Sequence, residues 1–164
     1  FKSREELVDV LSQKIIISMK EAIETKGYAT LILSGGSTPK ILLNKLSKIK
    51  FDWQKVKVTL VDERWVDPKS DNSNEKLIRD NLLINNAVEA NFFALKTDEE
   101  YAKDSLKYLN DELEKILQEL DVVVLGMGLD GHTASFFPNS DELSFALSTN
   151  DTVCATSATL EPTS

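Results

Sequence analysis

Between Ser3 and about Lys26, apolar residues recur at every fourth position: Leu7, Leu11, Ile15, Met19 and Ile23. That spacing predicts one amphipathic helix with a single apolar stripe, stopped at Gly27. The period then changes. Thr30 to Leu33 is a short, nearly unbroken apolar run, as expected of a strand covered on both faces. It breaks at Gly35-Gly36, and a helix restarts with Thr38 as N-cap and Pro39 as the first helical residue. A second strand is predicted from about Val56 to Val61, ending in a charged cluster. A polar loop with Pro68 follows, and Ser73 is placed to cap a helix over Glu75 to Leu83. Asn91 to Leu95 predicts a short strand. Asp98 to Leu120 predicts a long acidic helix with Leu106, Leu109, Leu113, Ile116, Leu117 and Leu120 on one face. Asp98, Glu99 and Glu100 in its first turn agree with the helix dipole. Asp121 to Leu125 reads as a third buried strand, and Thr152 to Thr156 as a fourth.

Buried strands alternating with helices predict an α/β fold, a mainly parallel, Rossmann-like open sheet flanked by helices. Residues 1–164 read as one domain, with no internal repeat and no linker rich in Gly, Ser or Pro. The chain begins on Phe1 and stops just after the last expected strand, so both ends read as cut. In open parallel sheets ligands sit at the carboxyl ends of the strands. Three of the expected strands end in the three most unusual segments of the sequence: SGGSTP, DERW and GLDGHTAS.

Composition narrows the classes. Among 164 residues, 41% are hydrophobic and 28% charged, with only 6 Gly and 4 Pro, which excludes a disordered or low-complexity chain. Nineteen Lys and Arg against 27 Asp and Glu give a net charge of −8, which argues against nucleic acid and anionic membrane as partners. A local anion site stays open, because backbone N–H groups and one Arg suffice to build it. Cys154 is the only cysteine, so no intrachain disulfide forms; a reducing, cytoplasmic setting is expected, with Cys154 as a small buried hydrophobe. No apolar run reaches the length of a spanning helix, and the opening FKSREEL is no secretory signal.

Each unusual segment suggests chemistry. In Ser34 to Pro39, two glycines permit a sharp turn and close approach to a ligand, and the following helix points unsatisfied N–H groups into the same space. Phosphate suits such a loop, although a plain strand-to-helix turn with a Thr cap explains part of it. The Lys-Ser or Lys-Thr pair of a P-loop is absent. After the second strand, alternation puts Asp62 and Arg64 on one side and Glu63 on the other. Asp62 and Arg64 there are either a structural ion pair or a pair aimed at hydroxyls and a phosphate. His132 is the only histidine, and Asp130 lies two residues before it. An imidazole at a strand's carboxyl end, oriented by a carboxylate, is a sound general acid/base at neutral pH.

Two other readings fail on spacing. Gly126, Gly128 and Gly131 spell the dinucleotide fingerprint, but Pro138 cuts the helix it requires to about two turns, and Asp151 would begin, rather than end, the following strand. One His, one Cys and scattered carboxylates give no ligand set at metal spacing, and Ser34, Ser37 and Ser135 lack the nucleophile-elbow pattern.

SGGSTP, then DERWV with SDNSN downstream, then LGMGLDGHTASFFP closely resemble the 6-phosphogluconolactonases, within the wider glucosamine-6-phosphate isomerase/ribose-5-phosphate isomerase-like group. The resemblance runs in order along nearly the whole chain. It implies hydrolysis of 6-phospho-D-glucono-1,5-lactone to 6-phosphogluconate in the oxidative pentose phosphate pathway, with no cofactor and no metal. It implies that Gly35, Gly36, Ser37 and Thr38 line the sugar-phosphate site and that Asp62 and Arg64 contact substrate. His132 is implied as the catalytic acid/base with Asp130 nearby; Asp62 and Asp130 divide the remaining carboxylate work in a way left open. Asp67 intervenes before Pro68, a small departure from the family pattern. Members of the family also continue beyond this chain's end into segments with further basic residues. Glucosamine-6-phosphate deaminases share the loop and the Asp-Gly-His turn, but carry Glu where this chain has Phe137. A non-catalytic sugar-phosphate-binding regulator on the same fold is the remaining alternative.

Overall fold

The Ser3 hydroxyl accepts the Glu6 N–H and starts α1, Arg4–Lys26; Gly27, at φ 86°, ends it with its N–H on the Ile23 carbonyl. The computed structural model describes residues 1–157. The four-residue stripe expected on α1 is buried only in part, at Ile15 and Met19. Val8, Ser12, Ile15, Met19 and Ala22 face the core, whereas Leu7 is 40% exposed and Leu11 and Ile23 sit at the core's margin. Each four-residue step overshoots a full turn by about 40°. A strict fourfold pattern therefore walks around a long helix, while alternating steps of four and three stay on one face.

Four parallel strands form the sheet: β1 Ala29–Leu33, β2 Val56–Leu60, β3 Asn91–Phe92 and β4 Val122–Val124, in the order β3-β2-β1-β4. Every residue of β1 is buried, and Leu31 pairs with Val58 on one side and Val122 on the other. Helix α1 packs on β1 and on α2, Lys40–Ser47, which in turn packs on α3, Asn74–Asn81. Trp53, fully buried in a short 3₁₀ turn before β2, anchors the core and donates its indole N–H to the Ile49 carbonyl.

Several expected boundaries shift, each for a local reason. β3 is two residues long rather than five. β4 is half-exposed rather than buried, with Val123 43% exposed, because among the described residues only β1 pairs with it. Helix α4 is Ala102–Ile116, shorter at both ends than expected. Before it, Trp65 Nε1 and Lys96 Nζ donate to the Glu99 carbonyl and the Glu99 N–H bonds Thr97 Oγ1, so residues 97–100 hold a turn instead of a first helical turn. After it, the Glu119 carbonyl and the Asp121 carboxylate both bind Thr30, which draws the chain out of the helix and into β4. No strand forms at Thr152 to Thr156: the Val153 N–H and C=O are taken by the side-chain amide of Asn110 on α4, at 3.0 Å each. Cys154 is half-buried rather than buried, and burial pushes its thiol above the usual range.

This order places the site. From β1 the sheet grows outward through β2 and β3, and the chain then returns to lay β4 on the other side of β1. The direction reverses between β1 and β4, and in open parallel sheets the carboxyl ends of the strands at such a switch point are where ligands bind. The segments after β1, β2 and β4 are the three singled out from sequence, and they emerge at one edge from three adjacent strands.

Candidate active site

The loop after β1 is built around open donors. Gly36 has φ 93°, and Gly36, Ser37 and Thr38 are exposed. Among the described residues, the N–H groups of Gly35 to Thr38 and the hydroxyls of Ser37 and Thr38 donate to nothing. Thr38 does not cap α2 as expected. Pro39, already helical at φ −74° and ψ −12°, occupies the cap position, and no side chain covers the helix start. Gly35 is needed for a reason invisible in the sequence: a Cβ there would collide with the side chain of Asn74, lying only 2.7 Å from even the farthest of its three nearest atoms, Nδ2.

After β2 the chain leaves extended geometry, so alternation no longer decides where side chains go. Asp62 and Arg64 form no ion pair with each other. Asp62 reaches across to the β4 loop, where its Oδ2 accepts the Ser135 hydroxyl at 2.7 Å. Arg64 is exposed and donates to the Asn72 carbonyl at 3.1 Å, with no carboxylate neutralising it among the described residues. Glu63, expected to face away from the ligand, instead caps α3. Its carboxylate accepts from the backbone of Arg64 (2.7 Å), Asn74 (2.8 Å) and Glu75 (2.7 Å) and from the Ser73 hydroxyl (3.2 Å). A carboxylate on the first N–H groups of a helix is stabilising by both hydrogen bonding and dipole. Ser73 caps the same helix through the Lys76 N–H, as expected.

The β4 loop carries the imidazole. His132 Nδ1 and Asp130 Oδ1 are 2.6 Å apart, and the His132 backbone N–H reaches the same oxygen at 3.3 Å. These bonds hold the Asp130 carboxyl below its usual range, so it is ionised at neutral pH and must accept. In the neutral imidazole Nδ1 then carries the proton and Nε2 the lone pair. The ring of Phe137 lies against the imidazole at 4.8 Å between centroids, and the His132 side chain is 32% exposed. Gly128 makes the pair fit. A Cβ at that position would run into the imidazole and lie 2.7 Å from Asp130 Oδ1. No helix opens at Gly131; the loop folds back through a Thr133–Phe136 bridge, so the dinucleotide fingerprint lacks its helix altogether. Ala134 sits at φ 49°, a strained conformation for a residue with a Cβ, between His132 and the Ser135 that meets Asp62.

The three loops are tied together. The Gly126 N–H bonds Ser34 Oγ, Asn74 packs on Gly35 and bonds Asp62, and Asp62 holds Ser135. Sequence reasoning found the three segments but missed Glu63, Asn74, Gly128 and Ser135 as their connections. The helix-cap position of Ser73 and the SDNSN motif, which ends on Asn74, were the signals pointing to it. No group of three or more metal-ligating side chains is found among the described residues, and no described helix is long and apolar enough to cross a membrane.

Known proteins share this fold. The family model of glucosamine-6-phosphate isomerases/6-phosphogluconolactonase matches residues 2–164. A 6-phosphogluconolactonase of Rhizobium meliloti is 45% identical over 147 residues, covering 90% of this chain and 63% of the relative. One from Mesorhizobium japonicum is 43% identical over 143 residues, covering 87% and 60%. The chain thus spans about three fifths of the length of these relatives. The crystal structure of a 6-phosphogluconolactonase from Shewanella baltica superposes with a TM-score of 0.96 at 43% identity, covering 99% of this chain and 70% of that one. With three motif loops on one sheet edge and these likenesses along nearly its whole length, the chain belongs to the glucosamine-6-phosphate isomerase/6-phosphogluconolactonase family.

Proposed function

We propose that the protein hydrolyses 6-phospho-D-glucono-1,5-lactone to 6-phosphogluconate, with His132 as general acid/base. The observation that carries this reading is the 2.6 Å His132–Asp130 pair, which leaves Nε2 as a base at the sheet's switch point. It is supported by relatives named as 6-phosphogluconolactonases. Nε2 takes a proton from water as the water oxygen attacks C1. The C1 to ring-oxygen bond then breaks, and the same proton passes to the ring oxygen, which leaves as a hydroxyl. The new carboxylic acid ionises to solvent. The open N–H and hydroxyl donors of Gly35 to Thr38 suit the phosphate, and the uncompensated Arg64 suits anionic charge on phosphate or on the tetrahedral oxygen. Asp62 holds Ser135 and contacts substrate from the β2 side. No cofactor enters the scheme, and the partner is a small sugar-phosphate lactone. The cytoplasmic setting expected from the single cysteine belongs to this reading.

Deamination of glucosamine 6-phosphate is disfavoured by Phe137, whose ring covers the imidazole and has no proton to transfer. The test uses the full chain with lactone generated in place from glucose 6-phosphate. Lactone loss well above the spontaneous rate, with no ammonia from glucosamine 6-phosphate, is the expected result. Ammonia release without lactone hydrolysis would replace this function with the deaminase.

A further inference from the structure

Asn74 is the polar group of the site for which the proposed reaction has no use. It is the first residue of α3 and is 2% exposed. Burying an amide is costly unless its bonds are met, and both bonds of its Nδ2 go to one residue. Nδ2 donates to the Asp62 carbonyl at 2.9 Å and lies 3.4 Å from Asp62 Oδ1. The backbone N–H of Asn74 is itself held by Glu63 Oε1 at 2.8 Å, so the amide has little freedom to turn elsewhere. On its other side it fills the space that Gly35 leaves by lacking a Cβ.

We propose that Asn74 is a positioning residue that fixes the Asp62 carboxylate for catalysis. This rests on the reading of Asp62 as a substrate-contacting group. The carboxylate is held at both ends: Oδ1 from the α3 side by Asn74, and Oδ2 from the β4 loop by Ser135. Two holds from different elements set the plane of the carboxylate, where one would leave it free to rotate. Because the same amide packs on Gly35, the spacing between the open donors after β1 and Asp62 is set by one side chain. Glu63 acts one step further back, by fixing the helix end that carries Asn74.

The experiment compares the wild-type full chain with Asn74→Ala and Asn74→Asp. The alanine is neutral and smaller, so it keeps the test open if a second carboxylate beside Asp62 prevents folding. Crystal structures read the position of Asp62 directly; kinetics on the lactone and thermal unfolding accompany them. Expected for Asn74→Ala is a carboxylate that has left its 2.7 Å contact with Ser135 and a kcat lowered about 10- to 100-fold, with KM little changed. A purely structural role would lower the melting temperature and leave kcat of the folded enzyme alone. A folded variant with Asp62 still on Ser135, or with wild-type kcat, overturns the proposal. If the wild type fails to hydrolyse lactone, the functional reading falls, and the crystal structures still decide whether Asn74 positions Asp62.

Discussion

Replacing His132 with alanine is expected to lower kcat for lactone hydrolysis about 10²- to 10⁴-fold, the range typical of losing a general acid/base. KM should change little, because the open donors of Gly35 to Thr38, proposed to hold the phosphate, belong to a different loop. The expectation follows from geometry. Asp130 lies 2.6 Å from Nδ1, so in the neutral imidazole the lone pair left free is that of Nε2. No other histidine exists in the chain to take over. The half-exposed position of the side chain means its removal leaves no large cavity, so the loss should fall on rate and not on stability. Steady-state kinetics with a matched unfolding curve checks it; an unchanged kcat removes His132 from the mechanism.

The second large effect comes from a single added methyl group. Gly128→Ala places a Cβ against the imidazole carbon and nitrogen and 2.7 Å from Asp130 Oδ1. The Gly128 backbone is not in the left-handed region, so alanine is conformationally allowed there and the effect is purely one of space. The imidazole must move, and the Asp130 bond that sets its tautomer breaks with it. A displacement on that scale costs on the order of 100-fold in kcat. The loop is largely exposed, so the melting temperature should stay close to wild type. Near-normal turnover in this variant would mean that the His132–Asp130 pair tolerates being parted.

How far these features were legible in the sequence depends on the range of the interaction. The strands β1 and β2 were readable because their runs are mostly apolar, and Gly27 and Ser73 were readable as helix ends because capping is local. The ends of α4 were not, because they depend on Trp65 and Thr30, which lie far away in the sequence. The expected strand at Thr152 to Thr156 failed for the same reason, since its backbone is claimed by Asn110.

The site divides in the same way. Motif loops announce themselves by unusual composition, so Ser34 to Pro39, Asp62 to Arg64 and Asp130 to Ser135 stood out. Their mutual support did not. Glu63 was assigned to the far side by strand alternation, yet the chain has already left the strand at that point and the carboxylate turns to α3. Gly35 and Gly128 read as turn glycines, and what requires them is close packing of Asn74 and His132. A steric requirement of this kind leaves no trace in the sequence beyond the glycine itself.

The central claim is that phosphate and reacting carbon are held together where the loops after β1 and β4 meet. Titrating the full chain with 6-phosphogluconate, while following backbone amides and the His132 ring by NMR, tests it most directly. The account predicts saturable shifts of the Gly36, Ser37 and Thr38 amides and of the His132 ring with one shared binding constant. Shifts confined to one of these loops, or to neither, would contradict it.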